Sequence, residues 1–335
     1  MARVNQRALR LTKVGCNPIV APVPGHGWES RQTFNAAAVE IEGRVHMLYR
    51  AVGDDWVSRI GYAASRDGFT IAERLPSPIY ACERIVSEES LPLPHGTPNF
   101  SSGGYHVGCE DPRATVIGDT VYMIFVAFDG YSIPRLALTS IKRDDFLARR
   151  WHWRPARVIS RPGVIDKSGA LLPEKINGKY VVFHRIFPNI LIDFVDSLDF
   201  SRGEYLEGRH AICIRRDKWD SRKVGVGPPP VKTSKGWLLI YYAVDERDDK
   251  RYKIGAMLLD LDDPTKVLHR SSAPILEPSA GYENNGHKAG VAYPCGAAVL
   301  GGRLFVYYGG ADSVVCVATA SLSRLLDQIM KEPAE

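Results

Sequence analysis

Five segments of the chain repeat one pattern of apolar and polar positions. Each segment starts at a glycine turn, continues as an apolar or aromatic run, crosses a short polar connection and ends in a second apolar run. The turn glycines are Gly43, Gly118, Gly178, Gly236 and Gly302. In LLIYYAV and LFVYYGG, apolar side chains occupy successive positions, which is typical of strands that are buried on both faces. The pattern therefore predicts five pairs of adjacent β-strands.

The spacing of these segments predicts the architecture. The glycines recur at intervals of roughly 58 to 75 residues, and a β-unit repeated at such spacing is typical of a propeller. Each unit supplies a hairpin and flanking strands, enough for one four-stranded blade. We therefore predict an all-β fold, a five-bladed β-propeller with a short C-terminal helix, that forms a single domain over residues 1–335.

Three segments lie outside the repeated pattern. Residues 1–15 are basic and predict an N-terminal arm. Residues 83–108 are irregular, and such a long segment in a compact domain is usually a lid, a binding loop or an interface. Residues 321–332 have apolar side chains at helical spacing, which predicts an amphipathic helix. Its apolar face would contain Leu322, Leu325, Leu326, Ile329 and Met330.

Composition and charge argue against several classes of function. The chain has 335 residues, of which 45% are hydrophobic and 24% charged, as in ordinary globular proteins. A net charge of +5 without a Lys/Arg block argues against nucleic-acid binding. We find no signal-peptide core or membrane-length apolar run, so we expect a cytoplasmic protein without membrane contact. Six scattered cysteines are predicted to be free thiols in a reducing compartment: Cys16, Cys82, Cys109, Cys213, Cys295 and Cys316.

The stretch GCEDPRA, residues 108–114, places two carboxylates side by side. Because successive side chains of a strand point to opposite faces, we expect Glu110 and Asp111 to serve different roles. Pro112 suits a turn or a strand start. Taken alone, the stretch favours an acid-rich turn in which Asp111 pairs with Arg113.

Other polar residues stand where apolar strands begin or end. Innermost strands of a propeller converge on its axis, so these residues are candidates for an axial pocket. Each also has a simpler explanation: a solvated strand end, an exposed Asp166–Lys167 pair, or a side chain that bonds its own backbone. The set consists of Asn35, Arg50, Asp111, Lys167, Arg185, Lys223 and Asp312.

The chemistry of this set favours phosphate as a reactant. An inverting glycosidase normally needs two carboxyl groups, one as acid and one to activate water. Here a single carboxylate, Asp111, would face the three cations Lys167, Arg185 and Lys223. Inorganic phosphate is already anionic and requires cations to hold it, so the set predicts phosphorolysis of a glycosidic bond. The isolated His184 and His287 are interpreted as polar groups rather than metal ligands.

The chain also resembles glycoside hydrolase family 130, the β-mannoside phosphorylases with a five-bladed propeller. The resemblance runs from Cys16 to Asp312, and EDPR and PEKINGKY contribute most to it. It implies that Asp111 is the general acid, which passes its proton through a hydroxyl of the bound mannosyl unit. It also implies that Lys167, Arg185 and Lys223 bind phosphate. The substrate-binding residues that it implies are Asn35, Arg50, Asp54, Tyr105, Glu110, Arg113, Tyr242, His287 and Asp312.

The resulting hypothesis is an inverting phosphorylase of the glycosyltransferase type. It would convert phosphate and a manno-oligosaccharide or mannosyl-glucose into α-mannose 1-phosphate, without a metal or an organic cofactor. The first alternative is an inverting β-mannosidase that uses Glu174 or Glu283 as base. The others are a non-catalytic sugar-binding propeller and a propeller of the arabinanase or fructosidase type, which relies on several carboxylates. The linkage and the acceptor stay open, and residues 1–15, 83–108 and the tail helix are candidate contacts of a homo-oligomer.

Overall fold

Strands dominate the fold. The computed structural model describes residues 9–82, 107–130 and 132–333, and these ranges contain 21 strands and three short helices. The prediction of an all-β fold is therefore confirmed. The roles predicted for Tyr105 and for most of the segment 83–108 concern residues outside the described ranges.

After the short strand β1 (Thr12–Lys13), the first strands of the chain form an eight-stranded sheet with two parts. The first part contains β2 (Gln32–Ile41), β3 (Arg44–Val52), β4 (Ser58–Ser65) and β5 (Ile71–Arg74). The second part contains β6 (Gly108–Ile117), β7 (Thr120–Phe128), β8 (Arg135–Lys142) and β9 (Arg157–Val158). The two parts are joined by a parallel pairing of Ser58 with Gly108, whereas pairing within each part is antiparallel.

The remaining strands form three separate antiparallel sheets. The first contains β10 (Lys167–Leu171), β11 (Tyr180–Ile186), β12 (Asn189–Val195) and β13 (His210–Ile212). The second contains β14 (Lys223–Val226), β15 (Val231–Thr233), β16 (Gly236–Asp245), β17 (Asp248–Leu259) and β18 (Val267–Arg270). The third contains β19 (Ala292–Leu300), β20 (Arg303–Gly310) and β21 (Val314–Ser321), and β1 adds its fourth strand.

The strand pairs predicted from the repeated pattern are confirmed. They are β3–β4, β7–β8, β11–β12, β16–β17 and β20–β21. Every residue of β16 is buried, as its unbroken apolar run predicts. The turn before β20 has Gly302 at φ 75°, a left-handed conformation that glycine adopts without strain.

The apolar core is divided among the spaces between neighbouring units. Ile124 of β7 packs with Leu171 of β10, and Leu258 of β17 packs with Leu304 of β20. The first strands of successive units also touch: β2 contacts β6, β6 contacts β10, β10 contacts β14, and β19 contacts β2. Residues that are distant in sequence but lie on first strands are therefore brought to one place.

The amino-terminal arm predicted over residues 1–15 includes β1. Thr12 pairs with Thr319 and Lys13 with Ala318 of β21, and Leu11 is buried in the core. This pairing joins the start of the chain to its last sheet. A two-residue strand has no hydrophobic period of its own, so the sequence pattern did not reveal it.

Helices lie at the edges of the sheets. They are α1 (Arg143–Leu147), α2 (Gly281–Asn284) and α3 (Leu322–Ile329). The predicted tail helix corresponds to α3, which Ser321 caps by accepting a hydrogen bond from the backbone N–H of Arg324. Leu325 and Ile329 are buried, whereas Met330 is 40% exposed, so its placement on the buried face was wrong. Among the described residues, no helix has the length and apolar character needed to cross a bilayer.

Two cysteines form a disulfide, which corrects the prediction of six free thiols. Cys82 and Cys109 are bonded, with 5.9 Å between their Cα atoms. Pairing of Ile60 with Tyr80 holds the chain before Cys82 against β4, and β6 starts beside the same strand. Sequence spacing could not reveal this neighbourhood. Disulfides are typical of oxidising compartments, so cysteine usage no longer supports a reducing location. The other four cysteines are free.

Candidate active site

Three first strands carry the same irregularity. The register of strand pairing shifts within residues 34–37 of β2, 110–113 of β6 and 167–170 of β10. Each bulge contains one residue with positive φ: Asn35 (49°), Asp111 (49°) and Ser168 (57°). A bulge of this kind bends the strand and redirects a side chain. Equivalent polar side chains of three units are therefore turned away from the regular ladder.

Asp111 is held by a buried network. Its Oδ1 accepts hydrogen bonds from Asn35 Nδ2 at 2.7 Å and from Arg50 Nη1 at 3.2 Å. Burial by itself raises the pKa of this carboxyl group, but Arg50, Arg113 and Asn35 together outweigh burial and lower it. Gly309 makes room for the network, because a Cβ there would lie 1.9 Å from Asn35 Oδ1. Asp111 is therefore ionised in the ligand-free site.

Glu110 and Asp111 share a partner, contrary to the expectation of separate faces. Arg50 Nη2 donates to Glu110 Oε1 at 3.1 Å, while Nη1 of the same guanidinium reaches Asp111. Lys167 Nζ donates to Glu110 Oε2 at 3.4 Å. Burial dominates the environment of Glu110 and raises its pKa in spite of both cations. The bulge explains the correction, since the strict alternation of a strand does not hold across it.

The two carboxylates nevertheless differ in access. Asp111 lines an inner pocket, whereas Glu110 is fully buried and does not line it. The residues lining this inner pocket are Phe34, Asn35, Arg50, Asp111, Lys167, Arg185, Lys223, Tyr242, Tyr252, Lys288, Val291, Tyr293 and Asp312. Its cavity volume is about 20 Å³, room for one water. A sugar or a phosphate therefore requires the flexible side chains of the wall to move.

Cations occupy one side of the inner pocket. Lys167 and Arg185 are directly opposite each other in the β10–β11 pairing, and Lys223 starts β14. The pattern of polar residues at strand ends had suggested these three. Lys288 joins them, although the family resemblance implied its neighbour His287 instead. Since Lys288 lies in an irregular segment, NNGHKAG, no strand end marks it.

Tyr252 lies between two of these lysines. It accepts a hydrogen bond from Lys223 Nζ at 2.5 Å, and Lys288 Nζ lies 4.5 Å from the centre of its ring. Burial, Arg185 and Lys288 lower the pKa of Lys223 to about 6. For Lys288, burial is outweighed by Tyr252 and Asp312, and its pKa is raised. Lys223 is therefore largely uncharged in the ligand-free site at neutral pH, and Lys288 is charged.

A cluster of three hydroxyl groups includes two tyrosines that line the inner pocket, Tyr242 and Tyr293. Ser168 Oγ lies 2.9 Å from the hydroxyl of Tyr242 and 2.8 Å from that of Tyr293. The two tyrosine rings lie against each other, with their centres 4.5 Å apart. Tyr242 was predicted, whereas Ser168 and Tyr293 were missed. The bulge in β10 is what turns Ser168 toward them.

His184, which directly precedes Arg185 in β11, is buried. His184 Nδ1 lies 2.7 Å from Asp166, and Nε2 lies 3.1 Å from Asp193. Burial opposes its charge, but the two carboxylates raise the pKa of His184 to about 9. The interpretation of His184 as a satisfied polar group agrees with these bonds. Asp166 and Lys167 are both buried, so the alternative explanation that they form an exposed pair was wrong.

The remaining predicted residues lie outside the inner pocket. Asp54 is exposed on the β3–β4 connection and accepts a hydrogen bond from Ser30. Arg113 is buried and donates to the hydroxyl of Tyr293 at 3.0 Å. His287 is exposed and lines a neighbouring outer cavity. Among the described residues, no group of three His, Cys, Asp or Glu side chains is placed to hold a metal ion.

The two predicted candidates for a second carboxylate are both engaged elsewhere. Glu174 is exposed and pairs with Lys232. Glu283 is buried and accepts hydrogen bonds from Lys13 and from the hydroxyl of Tyr308. Neither lines the inner pocket. The second carboxylate there is Asp312, whose pKa burial raises although Lys288 opposes the shift.

Comparison with known proteins identifies the family of the chain. The model of glycoside hydrolase family 130, described as beta-1,4-mannooligosaccharide phosphorylase, matches residues 17–332. A 1,2-beta-oligomannan phosphorylase of Thermoanaerobacter sp. (strain X514) is 36% identical over 95% of this chain and 99% of its own length. A beta-1,2-mannobiose phosphorylase of the same strain is 35% identical over 94% and 99%.

A solved structure gives the same result. The beta-1,2-mannobiose phosphorylase of Listeria innocua, in complex with beta-1,2-mannobiose, matches with a TM-score of 0.76 and 28% identity. The match covers 96% of this chain and 99% of the Listeria chain. The chain belongs to glycoside hydrolase family 130.

Proposed function

We propose that this protein is an inverting β-mannoside phosphorylase, in which inorganic phosphate cleaves the mannosidic bond and α-mannose 1-phosphate is released. The observation that carries the proposal is the inner pocket, where Asp111 faces a group of cations. Phosphate would attack the anomeric carbon from the α face while the bond to the departing oxygen breaks. Family membership supports the reaction class.

The cations of the pocket need an anion. In the described ranges, no carboxylate forms an ion pair with Arg185, Lys223 or Lys288. Gathering positive charges away from water is unfavourable unless an opposite charge compensates them. A phosphate among these donors would accept several charge-assisted hydrogen bonds. Phosphate would compensate the charges of Arg185 and Lys288 and favour the charged form of Lys223, and both effects favour binding of the nucleophile.

We assign to Asp111 the role of general acid, which supplies the one proton that the reaction needs. Phosphate requires no base, but the departing oxygen must be protonated. The pKa of Asp111 is lowered in the ligand-free site, so the carboxyl group must gain a proton when the substrates bind. Phosphate adds negative charge and the sugar excludes water, and both effects raise a carboxyl pKa. The family resemblance adds that the proton passes through a sugar hydroxyl.

Hydrolysis is the second candidate, because the inner pocket contains the further carboxylate Asp312. An inverting hydrolase would use it to activate water. A raised carboxyl pKa, as at Asp312, suits a general base, because basicity increases as the pKa approaches the working pH. The cations Lys167, Arg185 and Lys288, however, favour an anionic nucleophile over water. Phosphorolysis is therefore preferred.

The preferred linkage is proposed to be β-1,2. The two Thermoanaerobacter relatives and the Listeria structure are all named for β-1,2-linked mannosides. The family model is described by the β-1,4 linkage, which makes β-1,4-linked manno-oligosaccharides the competing substrate class.

The five units, four with four strands and one with five, are proposed to form a closed five-bladed propeller. Contacts between successive units support this arrangement, because they run from β2 through β6 and β10 to β14, from β16 and β17 to β19, and from β19 back to β2. The pairing of β1 with β21 supports closure as well, since it ties the two ends of the chain together. The inner pocket would then lie on the propeller axis.

The cofactor requirement, the cellular location and the oligomeric state of this protein are also proposed. Phosphate and one carboxyl group supply the nucleophile and the proton, so we propose that turnover needs no metal or organic cofactor and survives dialysis against a chelator. A cytoplasmic location and a homo-oligomer are retained as predictions.

The test is turnover of mannobioses of defined linkage with and without phosphate. Expected is phosphate-dependent turnover of β-1,2-mannobiose, with the α anomer of mannose 1-phosphate observed by NMR. β-1,4-Mannobiose and 4-O-β-mannosyl-glucose are the matched substrates. Equal release of free mannose without phosphate would establish hydrolysis instead. Turnover restricted to a β-1,4 substrate would overturn only the linkage.

A further inference from the structure

A larger outer cavity adjoins the cations of the inner pocket. Its volume is about 680 Å³. Five residues line both spaces: Lys167, Arg185, Lys223, Tyr252 and Lys288. The cations assigned to phosphate therefore form the boundary between the two spaces. A ligand in the outer cavity would meet them before it reached Asp111.

The outer cavity has a strongly one-sided charge. Among its described lining residues, Asp249 is the only carboxylate. The cationic lining residues are Lys167, Arg185, Arg222, Lys223, Lys250 and Lys288. Asp111 and Asp312 line only the inner pocket. Negative groups are therefore concentrated on the sugar side and positive groups on the outer side.

Two cations stand at the rim of the outer cavity. Arg222 directly precedes β14, and Lys250 lies near the start of β17. Both side chains are exposed, and in the described part of the chain neither forms an ion pair with a carboxylate. They are therefore not explained as members of a surface salt bridge.

We propose that the outer cavity is an anion vestibule, in which Arg222 and Lys250 attract inorganic phosphate and pass it to the inner cations, and through which the sugar phosphate leaves. The vestibule rests on the proposed phosphorylase activity, since only a phosphorylase exchanges these anions. Its ligands are phosphate as substrate and a phosphate monoester as product.

Physical chemistry favours an anion over a sugar here. A concave surface with charges of one sign focuses the field and raises the local concentration of oppositely charged ligands. Neutral sugars gain nothing from this field. Phe187, which is 59% exposed at the same cavity, offers a surface on which a sugar ring could stack. Binding of the oligosaccharide in the outer cavity is therefore the competing outcome.

The test is charge reversal at the rim. Lys250→Glu should raise the KM for phosphate about tenfold, the lower end of known electrostatic steering, and reduce its dependence on salt. The KM for mannobiose and kcat at saturating phosphate should change less than twofold. In the synthetic direction, the KM for α-mannose 1-phosphate should rise by a similar factor. Arg222→Glu should add to the effect, and Lys250→Arg should restore the wild-type value.

Lys235→Glu is the matched control. It makes the same change of charge at the turn between β15 and β16, at the opposite end of β16 from the turn that precedes Lys250. Unchanged phosphate KM in Lys250→Glu, or an equal rise in Lys235→Glu, would overturn the vestibule. A rise confined to the KM for mannobiose would assign the cavity to the oligosaccharide.

The vestibule can fail separately from the proposed function. If the wild-type protein shows no phosphate-dependent turnover, the phosphorylase proposal fails. Sulfate binding measured by calorimetry still tests the vestibule in that case, because the affinity depends on the same charges. Weaker sulfate binding in Lys250→Glu than in Lys235→Glu would support an anion vestibule, and equal binding would overturn it.

Discussion

Two buried charge clusters of this protein are arranged in opposite ways. Near the end of β18, Arg270 and Arg215 both pair with Asp220, at 2.6 and 2.9 Å, and Tyr241 donates to the same carboxylate at 3.0 Å. In the inner pocket, Lys223 and Lys288 instead gather around the neutral ring of Tyr252. The first cluster contains an ion-paired carboxylate, whereas in the described ranges no carboxylate forms an ion pair with the two lysines of the second, although Asp312 acts on Lys288.

The difference separates a structural from a functional role. A paired buried cluster is satisfied within the fold, so losing one member leaves an uncompensated charge. A cluster of cations without a counter-ion is destabilising on its own and is relieved by an anionic ligand. Variants of the two clusters should therefore have opposite effects on stability and activity.

The largest expected effect is on catalysis, from Asp111→Asn. Removing the proton donor should reduce phosphorolysis of mannobiose by about 10²- to 10⁴-fold, the usual contribution of general acid catalysis. A dinitrophenyl β-mannoside departs without protonation, so its cleavage should be retained. Steady-state rates with both substrates test this, with Asp312→Asn as control. Equal loss with both leaving groups would remove Asp111 from the acid role.

The next effect is on stability, from Asp220→Asn in the paired cluster. Leaving Arg270 without its carboxylate should lower the free energy of unfolding by about 3–5 kcal/mol, measured by urea denaturation. The matched control is Asp217→Asn, an exposed neighbour expected to change stability by about 0.5 kcal/mol or less. Similar stability of both variants would contradict the structural role.

In the unpaired cluster, Lys223→Met should weaken phosphate binding and increase the free energy of unfolding, whereas Asp220→Asn lowers the latter. Phosphate affinity should fall about 10- to 100-fold, because a hydrogen bond to a charged group contributes about 1.5–3 kcal/mol. The ammonium has a folded pKa of about 6, below its unfolded value of about 10.4, so the folded state binds fewer protons between these pH values. Stability of the wild-type protein should rise with pH in this window.

Lys223→Met has no ionisable group at this position, so unfolding of this variant changes no proton binding there. Relative to the wild-type protein, its free energy of unfolding should be increased most near pH 6, and the increase should vanish toward pH 10. Thermal denaturation at several pH values measures this difference. Arg270→Met provides the contrast, since it should destabilise the protein at every pH in this range. Loss of stability in Lys223→Met near pH 6 would refute the comparison.

The smallest expected effect is the uptake of a proton when an anion binds. Sulfate does not titrate near neutral pH, but it should raise the pKa of Lys223 above about 6, so binding takes up a proton. Sulfate affinity should therefore fall between pH 6 and 8, by at most about tenfold per pH unit. Calorimetry in buffers of different ionisation enthalpy measures the uptake.

Asp111 and Asp312 also respond to an anion, so the variant Lys223→Met isolates the contribution of the lysine. The uptake between pH 6 and 8 should be smaller in Lys223→Met than in the wild-type protein. An undiminished uptake in this variant would assign the proton to another group.

The sequence allowed much of the fold to be predicted, because the signals of strands are local. Unbroken apolar runs identified β16 and β20, and helical spacing identified α3 within three residues at each end. Polar residues at strand ends indicated part of the pocket, since strand ends of successive units meet. Eight predicted residues line it: Asn35, Arg50, Asp111, Lys167, Arg185, Lys223, Tyr242 and Asp312.

Other features depend on pairing between distant segments. Tyr252 and Tyr293 look like ordinary strand aromatics, and only the arrangement of units turns them toward Ser168 and Lys223. Cys82 and Cys109 meet because of a strand pairing around Ile60. The left-handed conformations at Asn35 and Asp111 arise from bulges, which cannot be read from a hydrophobic period.

The amino-acid sequence by itself determined where strands form and which charges are available to the site, because apolar runs and residue types are properties of the local chain. Only the tertiary structure decided which cations lack a counter-ion and that adjacent carboxylates share Arg50. Such balances of charge depend on distances between units, and those distances exist only once the sheets are packed.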